Sequence, residues 1–325
     1  MMPSPGWWPA TEGSRSWWRR KLETPTPVMA GGGLLASLGL DLPPLEPGER
    51  WDPGLFGPDS TVWRIGRERI LLAGGPAALL LQIAHPLVAA GVTNHSGFSE
   101  DPFLRLRATL DATLRITFGD REQARRAASG VGAVHAGVRG RLSEPAGPFG
   151  PGTPYDAADP QLALWVHATL MRSSLAVYER FVGGLTPSQR ERYYQEARPF
   201  AALFGVTADV LPPDYRAFQA YLEGMVQGPA LAVGKEAKAL AAQILRPPLP
   251  RPARAAGPFM RAVTAWLLPE RLRGQFGLEP ATRDRLVLAL LTGGLRASLR
   301  ALPARARFWP HYLVARRRME DFGNE

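Results

Sequence analysis

The chain has 325 residues, of which 45% are hydrophobic and 21% are charged. This balance is typical of a globular protein and excludes a wholly disordered or fibrous chain. The sequence contains no cysteine, which excludes disulfide scaffolds, zinc–thiolate sites, iron–sulfur clusters and thiolate-ligated haem. A metal centre in this protein must therefore use histidine or oxygen ligands.

The formal net charge of +10 is concentrated towards the C-terminus. Residues 246–318 contain fifteen arginines and only three acidic residues, Glu270, Glu279 and Asp284. Such a basic region can be a solvated surface, or it can bind an acidic partner, of which a peripheral anionic membrane surface is the one we expect. Nucleic acid is not expected, because the sequence carries no recognisable recognition module.

Residues 1–60 are rich in proline, glycine and tryptophan, which predicts an irregular arm with one short helix near Leu34–Leu38. They lack the apolar stretch of about 7–15 residues found in signal peptides. We therefore expect a cytoplasmic location, with membrane association through the basic region. The uncharged window Ile70–Ser99 is long enough to span a bilayer, but Gln82, His85 and two prolines favour a buried core segment instead.

Helical periodicity dominates the chain from about residue 61 and predicts an all-α fold, a single large domain of about eight to ten helices. Residues 61–245 are expected to form the main helical domain, with the basic helices of 246–325 packing on it or extending it. Capping residues followed by proline predict helix starts at Asp101, Asp159 and Thr186. The predicted helices cover 102–118, 120–139, 160–183, 187–204, 213–227, 234–245, 256–273 and 281–301.

Two irregular segments interrupt these helices. Residues 141–159 hold several prolines and glycines, and a loop of this length is often functional. Residues 246–258 hold five prolines and predict a stiff connector. Nucleotide-binding, serine-hydrolase and zinc-protease motifs are absent from the sequence, and so is the repeated Glu-x-x-His of a di-iron bundle.

Four of the five histidines lie in segments that otherwise resemble core: His85, His95, His135 and His167. The fifth, His311, belongs to the basic tail and is not expected to take part in a site. The helix periodicity places His135 on the apolar face formed by Val131, Val134 and Val138, and it also turns His167 inward.

Small residues surround His135 on its helix: Gly132, Ala136 and Gly137. Glycine within a helix costs about 1 kcal/mol relative to alanine, so this set suggests that a bulky, flat group presses on the backbone there. A porphyrin fits that description. The alternative is a histidine bonded to a backbone carbonyl at a close helix crossing.

The helix 102–118 places Arg105 and Thr109 one turn apart, beside Ala108 and Ala112. A guanidinium in this position can bind a haem propionate or order bound oxygen, and the threonine supplies a hydroxyl. The alternative is an arginine that pairs with a carboxylate of the protein.

An ordered series of motifs from Trp63 to about Gly228 resembles the MpaB / latex-clearing-protein (rubber oxygenase) family. The motifs are Gln82–Ile83–Ala84–His85–Pro86, His95–Ser96, Asp101–Pro102, Arg105-x-x-x-Thr109, Phe118–Gly119, Val134–His135, Arg139–Gly140, Tyr155, Asp159–Pro160, Trp165–Val166–His167 and Tyr193–Tyr194. The resemblance covers about half of the chain. It implies an all-helical haem b fold in which iron and dioxygen oxidise an apolar substrate.

Carried over residue by residue, the resemblance makes His135 the axial iron ligand, with Arg105 and Thr109 as the functional arginine and threonine. His95 and His167 are the further cofactor-binding candidates. Some rubber oxygenases have a lysine immediately before the threonine, where this chain has Ala108, so a lysine cannot cap the sixth iron position. Rubber itself is not the expected substrate, because the N-terminus gives no sign of secretion.

The sequence thus predicts an oxygenase that uses haem b and dioxygen to oxidise a small apolar molecule, isoprenoid or lipid in character. The alternative is a non-catalytic helical protein that binds lipid, or another hydrophobic ligand, at a membrane surface through its arginine-rich C-terminal helices.

Overall fold

Helices account for nearly all of the regular structure. The computed structural model describes residues 42, 44–45, 52–95, 102–247, 251–279 and 281–322, except for the side chains of 102–105, 252 and 322. All of these residues belong to one compact unit, 31–325. They contain fourteen α-helices, two 3₁₀ segments and one two-stranded sheet, which confirms the predicted all-α fold. The predicted short helix at Leu34–Leu38, and most of the predicted arm 1–60, lie outside the described residues.

The helices in chain order are α1 (Thr61–Gly66), α2 (Gly75–Ile83), α3 (Pro86–His95), α4 (Pro102–Phe118), α5 (Arg121–His135), α6 (Pro160–Phe181), α7 (Pro187–Leu203), α8 (Tyr215–Gln227), α9 (Lys235–Leu245), α10 (Gly257–Leu267), α11 (Glu270–Gln275), α12 (Thr282–Ala301), α13 (Ala304–Arg307) and α14 (Pro310–Phe322). The 3₁₀ segments Arg69–Gly74 and Arg251–Ala256 precede α2 and α10. The antiparallel strands β1 (Arg139–Arg141) and β2 (Pro154–Asp156) lie between α5 and α6.

The predicted helix starts depend on local capping chemistry. The Asp159 carboxylate accepts a hydrogen bond from the Gln161 amide at 2.8 Å, and Pro160 occupies the first turn of α6. At the start of α7, Thr186 and Gln189 form a capping box, in which each side chain accepts from the other residue's amide. Both starts are confirmed. Asp101 lies outside the described residues.

Two predicted helices end earlier than expected. The helix predicted over 120–139 ends at His135, and β1 begins at Arg139. The helix predicted over 256–273 is divided into α10 and α11, because Leu268 precedes a proline and takes an extended conformation with ψ of 136°. A proline disfavours the helical conformation in the residue before it, which explains the break.

The main core surrounds α6, which packs against α2. Trp165 is 1% exposed, and its indole nitrogen donates to the Leu81 carbonyl at 3.1 Å. The rings of Tyr194 of α7 and Phe218 of α8 pack in the same core at a tilt of 35°, with their centroids 5.1 Å apart. The Trp165 indole is buried and its N–H has an acceptor, so this contact joins α6 to α2 and fixes the relative position of these two helices.

The window Ile70–Ser99 does not form one straight helix. The described part consists of the 3₁₀ segment Arg69–Gly74 continued by α2, followed by α3, and the two helical runs are bent by 106° at the break. Among the described residues, no single helix is long and apolar enough to cross a membrane, and only this bent pair passes by length and composition. Leu80, Leu81 and Ile83 of α2 are each at most 2% exposed.

A buried ion pair attaches the C-terminal helices to the first ones. Glu68 is 0% exposed, and its two carboxylate oxygens accept from Arg307 at 2.7 and 2.8 Å. The Arg67 carbonyl accepts from the Trp309 amide at 3.1 Å. Trp63 then packs edge-on against the Tyr312 ring, with centroids 6.1 Å apart. The last part of the chain is therefore an integral part of the fold.

Candidate functional site

The site residues predicted on α4 and α5 lie at one end of a helical hairpin. The two helices pack against each other and are joined by two residues, Gly119 and Asp120. Arg105 lies 13 residues before the end of α4, and His135 lies 14 residues after the start of α5. At about 1.5 Å per residue, both positions are about 20 Å from the connection. The hairpin therefore brings residues 105 and 135 to the same open end.

His135 is half-buried at this open end. Its ring centroid lies 6.4 Å from that of Phe204, which follows α7. Phe204 lies 5.1 Å from Phe200, and Phe200 stacks on His167 of α6 at 5.8 Å with an interplanar angle of 26°. We call His135, Phe204, Phe200 and His167 the aromatic row. It links two of the predicted histidines through two phenylalanines.

The aromatic row rests on the closed part of the hairpin. Phe200 and Phe204 pack against the buried residues Ile116, Ala127 and Ala128. Further along the same face of α5 and just beyond it, the apolar side chains are only half-buried: Val131, Val134 and Val138. The inner face next to His135 is thus apolar and still accessible. These features suit a flat apolar ligand.

Burial keeps the His167 imidazole neutral. The surrounding protein lowers the pKa of His167 to about 4, because the charged form loses its hydration. Part of its surface nevertheless stays accessible. A neutral imidazole is the form that can ligate a metal, so His167 is chemically competent as a ligand at neutral pH.

His95 belongs to a second group of polar contacts, centred on Tyr155. The Tyr155 hydroxyl lies 3.1 Å from the His95 ring nitrogen Nε2, and it accepts from the Asn94 side-chain amide at 3.0 Å. Tyr155 is 5% exposed and pairs across the sheet with Gly140. A Cβ atom on Gly140 would lie only 2.6 Å from that hydroxyl, so the close approach requires glycine.

The structure describes the two predicted residues of α4, Arg105 and Thr109, to different extents. The side chain of Arg105 is outside the described set, so only its backbone position at the open end is known. Thr109 is exposed, whereas Ala108 and Ala112 beside it are buried, at 7% and 9% exposure. The hydroxyl of Thr109 therefore does not point into the buried interface of α4. The functional roles of both residues stay predictions.

His85 and His311 are both buried. His85 is 6% exposed at the break between α2 and α3, next to the Phe149 ring. His311 is 0% exposed, and its Nε2 lies 3.5 Å from a carboxylate oxygen of Asp111. His311 therefore lies in the core, because α14 packs against α4, and its expected absence from the site stays a prediction.

Among the residues that the structure describes, no group of three histidines or carboxylates is placed to hold a metal ion. A haem iron does not require such a group, because the porphyrin supplies four nitrogens and the protein needs to add only one axial ligand. Sequence reasoning missed Phe200 and Phe204. Their spacing of four residues at the C-terminal end of α7 is the signal that could have indicated them.

Comparison with known proteins assigns most of the chain to a class of oxygenase catalytic domains. Residues 62–297 match the family described as "ER-bound oxygenase mpaB/B'/Rubber oxygenase, catalytic domain". The chain belongs to this family, which confirms the resemblance found in the sequence. The match continues beyond residue 245, where the sequence predicted a boundary.

Two mycobacterial relatives are similar to this chain over most of its length. Proteins of Mycobacterium tuberculosis and Mycobacterium bovis, both named as uncharacterized, are 30% identical to this chain over 247 residues. The alignment covers 73% of this chain and 92% of each relative. No solved structure matches the chain.

Proposed function

We propose that this protein is a haem b-dependent oxygenase with His135 as the axial ligand of the iron. The observation that carries the proposal is the position of His135, which lies half-buried at the open end of the hairpin, next to apolar side chains and at one end of the aromatic row. A flat macrocycle needs apolar walls and one accessible imidazole. The family assignment supports oxygen chemistry in this domain.

Other residues of the chain would bind the cofactor and shape its surroundings. Arg105, at the same end of the hairpin, would bind a propionate carboxylate, and Thr109 would supply a hydroxyl near the cofactor. Phe200 and Phe204 would exclude water from one side. The haem iron would supply the activation of dioxygen, while the protein contributes the ligand, the orientation and the apolar surroundings. A small apolar molecule is the substrate that such walls favour.

The first experiment is a haem titration followed by absorption spectroscopy. We expect one equivalent of haem to give a Soret band, His135→Gly to abolish it, and added imidazole to restore it, because imidazole can occupy the space of the missing side chain. Ser129→Ala, at an exposed position of the same helix, is the matched control. His311 cannot serve as a control, because its substitution would disturb the core.

Two results would contradict this assignment. If His135→Gly keeps a full Soret band while His167→Gly or His95→Gly loses it, the iron ligand has been assigned to the wrong histidine. If the unmodified protein gives no saturable Soret band with haem, the proposal of a haem protein fails as a whole.

A second experiment addresses Arg105 and Thr109. We expect Arg105→Ala and Thr109→Ala to change the spectrum of the cyanide-bound haem protein. Thr109 is exposed, so its substitution should alter the free energy of unfolding by no more than about 0.5 kcal/mol. Identical cyanide-bound spectra in both variants and the unmodified protein would show that neither residue faces the cofactor.

We also propose that the protein associates from the cytoplasm with an anionic membrane surface through α12. The observation that favours this function is an apolar outer face, on which Leu286 is 57% and Leu290 76% exposed. Exposed arginines flank these leucines: Arg283, Arg285 and Arg300. Leucines between arginines suit the boundary between headgroups and acyl chains.

Flotation with liposomes tests the membrane proposal. Binding to anionic liposomes should weaken at high salt, because salt screens the arginines, and the double variant Leu286→Ser/Leu290→Ser should bind less at every salt concentration. Leu222→Ser, in the core, does not alter this surface and controls for loss of stability. Equal flotation of the double variant and the unmodified protein would contradict the proposal.

A further inference from the structure

A recess of about 280 Å³ lies between the start of α1, the first half of α7 and α14. Its lining includes Trp63, Tyr312 and three arginines, Arg64, Arg67 and Arg192. We call it the arginine recess. Its distance from the aromatic row can be judged along α7: Arg192 and Phe204 are 12 residues apart in the chain, which corresponds to about 18 Å.

Arg64 is half-buried, and two of its nitrogens are buried donors that lack a hydrogen-bond partner among the described residues. Its Nε and one terminal nitrogen, Nη2, are shielded from solvent, and neither has a hydrogen-bond partner within the described part of the chain. Its guanidinium also forms no ion pair with a described residue. Buried donors in native proteins are almost always satisfied, so an orphaned guanidinium indicates a missing acceptor.

Arg67 holds a second positive charge in a fixed position. Its Nη1 donates to the Tyr312 hydroxyl at 3.0 Å, and its guanidinium lies over the Phe308 ring at 4.5 Å. Its Nε is buried and has no hydrogen-bond partner among the described residues. The nearest carboxylate in the structure, that of Glu68, lies 3.8 Å from this Nε and already receives two hydrogen bonds from Arg307.

The remaining charges near the recess are mostly neutralised by each other. Arg192 donates to Glu196 at 2.6 Å, and the other oxygen of that carboxylate accepts from the amides of Thr61 and Val62. Asp59, which is exposed, contributes the only carboxyl group among the residues that line the recess. The recess is therefore net positive, and its unused donors belong to Arg64 and Arg67.

We propose that the arginine recess binds a phosphate group. Both arginines line the recess, three of their nitrogens lack a hydrogen-bond partner among the described residues, and a phosphate supplies several acceptor oxygens around a single centre. Guanidinium groups match phosphate oxygens in geometry and charge. The lining is too polar for an apolar substrate. The phosphate group can be that of a soluble phosphate compound or that of a lipid headgroup.

Isothermal titration calorimetry with inorganic phosphate tests the proposal on the full chain. Sodium chloride and sodium sulfate at equal ionic strength are the reference salts. We expect saturable binding of one phosphate, and at least a tenfold loss of affinity in Arg64→Met. The matched control is Arg125→Met, because Arg125 is exposed and pairs with Glu122 on the surface of α5. This control should keep the affinity of the unmodified protein.

A thermal-unfolding series separates binding from folding. Phosphate should raise the Tm of the unmodified protein and of Arg125→Met, but not that of Arg64→Met. Without phosphate, Arg64→Met should unfold at no lower temperature than the unmodified protein, because it removes donors that lack acceptors. If Arg64→Met fails to fold, Arg67→Lys is used in its place. This variant keeps the positive charge but loses the planar guanidinium, and we expect the same loss of phosphate affinity.

Vesicles containing phosphatidic acid identify the source of the phosphate. Flotation that Arg64→Met weakens assigns the recess to a lipid headgroup, whereas calorimetric binding without Arg64-dependent flotation assigns it to a soluble phosphate. The proposal is overturned if phosphate gives no saturable binding beyond the chloride reference, or if Arg64→Met binds phosphate as well as Arg125→Met does.

Discussion

His85 should make the stability of this protein fall as the pH is lowered from 7 to 5. The ring is 6% exposed, and its Nδ1 has no hydrogen-bond partner among the described residues. Burial lowers the pKa of His85 to about 4, although the charge of Asp159 partly opposes this effect. The folded protein therefore keeps this histidine neutral, and the perturbation that reveals it is His85→Gln.

The sign and size follow from proton binding in the two states. The folded-state pKa is about 4 and the unfolded value is 6.5, so between these pH values the unfolded chain binds a proton that the folded protein does not. Stability is complete above about pH 6.5 and is lost as the pH falls towards 4. At 1.36 kcal/mol per pH unit, His85 accounts for about 2 kcal/mol of loss between pH 7 and pH 5.

Urea unfolding at pH 7, 6 and 5 measures the effect. The decrease in the free energy of unfolding between pH 7 and pH 5 should be about 2 kcal/mol smaller in His85→Gln than in the unmodified protein. A change in the urea dependence itself would instead indicate an altered unfolded state. His167, whose pKa is also lowered to about 4, should retain its own share of the decrease in that variant.

A core truncation elsewhere provides the control. Leu211 is 8% exposed and is not titratable, so Leu211→Ala should lower the free energy of unfolding by a similar amount at each pH. If His85→Gln and the unmodified protein lose the same stability between pH 7 and pH 5, then His85 is not held neutral by burial and the reasoning is wrong.

Three further predictions concern the frame of the fold. Removing one partner of the buried pair in Arg307→Met should cost about 3–5 kcal/mol in urea unfolding, and the double variant Glu68→Leu/Arg307→Met should cost less, because no uncompensated charge stays buried; a double variant that is worse than the single one would refute this. Gly54→Ala should destabilise far more than Gly57→Ala, since both glycines have positive φ but only at Gly54 would a Cβ lie 2.2 Å from a backbone oxygen; equal Tm values would contradict the steric argument. Trp165→Phe should cost about 1–3 kcal/mol, because the buried carbonyl that now accepts from the indole loses its partner; a change below about 0.5 kcal/mol in the free energy of unfolding would show that the bond contributes little.

The helical frame could be predicted from the sequence because its signals are local. Capping boxes and proline positions act within one turn, so the start of α7 at Pro187 is readable from Thr186 and Gln189 alone. The break at Leu268 is equally local, since Pro269 follows it directly. The prediction missed this break because apolar periodicity continues through it.

The candidate site could be predicted only in part. The inward face of His135 follows from its valine neighbours, but its contact with Phe204 joins residues 69 positions apart, and no local pattern indicates that pairing. Burial of His311 depends on α14 packing against α4, although arginines surround it in the sequence. The exposure of Thr109 could not be predicted from the sequence pattern either. This residue lies next to buried alanines but is exposed, because helix periodicity alone does not fix where the contact face ends.

The pairing of Glu68 with Arg307 also sets the order in which the protein can be made. The two residues are 239 positions apart in the chain, and synthesis at about 5–20 residues per second separates their appearance by roughly 12–48 s. Throughout that interval the carboxylate of Glu68 lacks the cation that permits its burial. This ion pair can therefore form only after the residues up to Arg307 have left the ribosome. Contacts between such distant residues slow folding, so we expect the packing of α1 to be a late step in the folding of this protein.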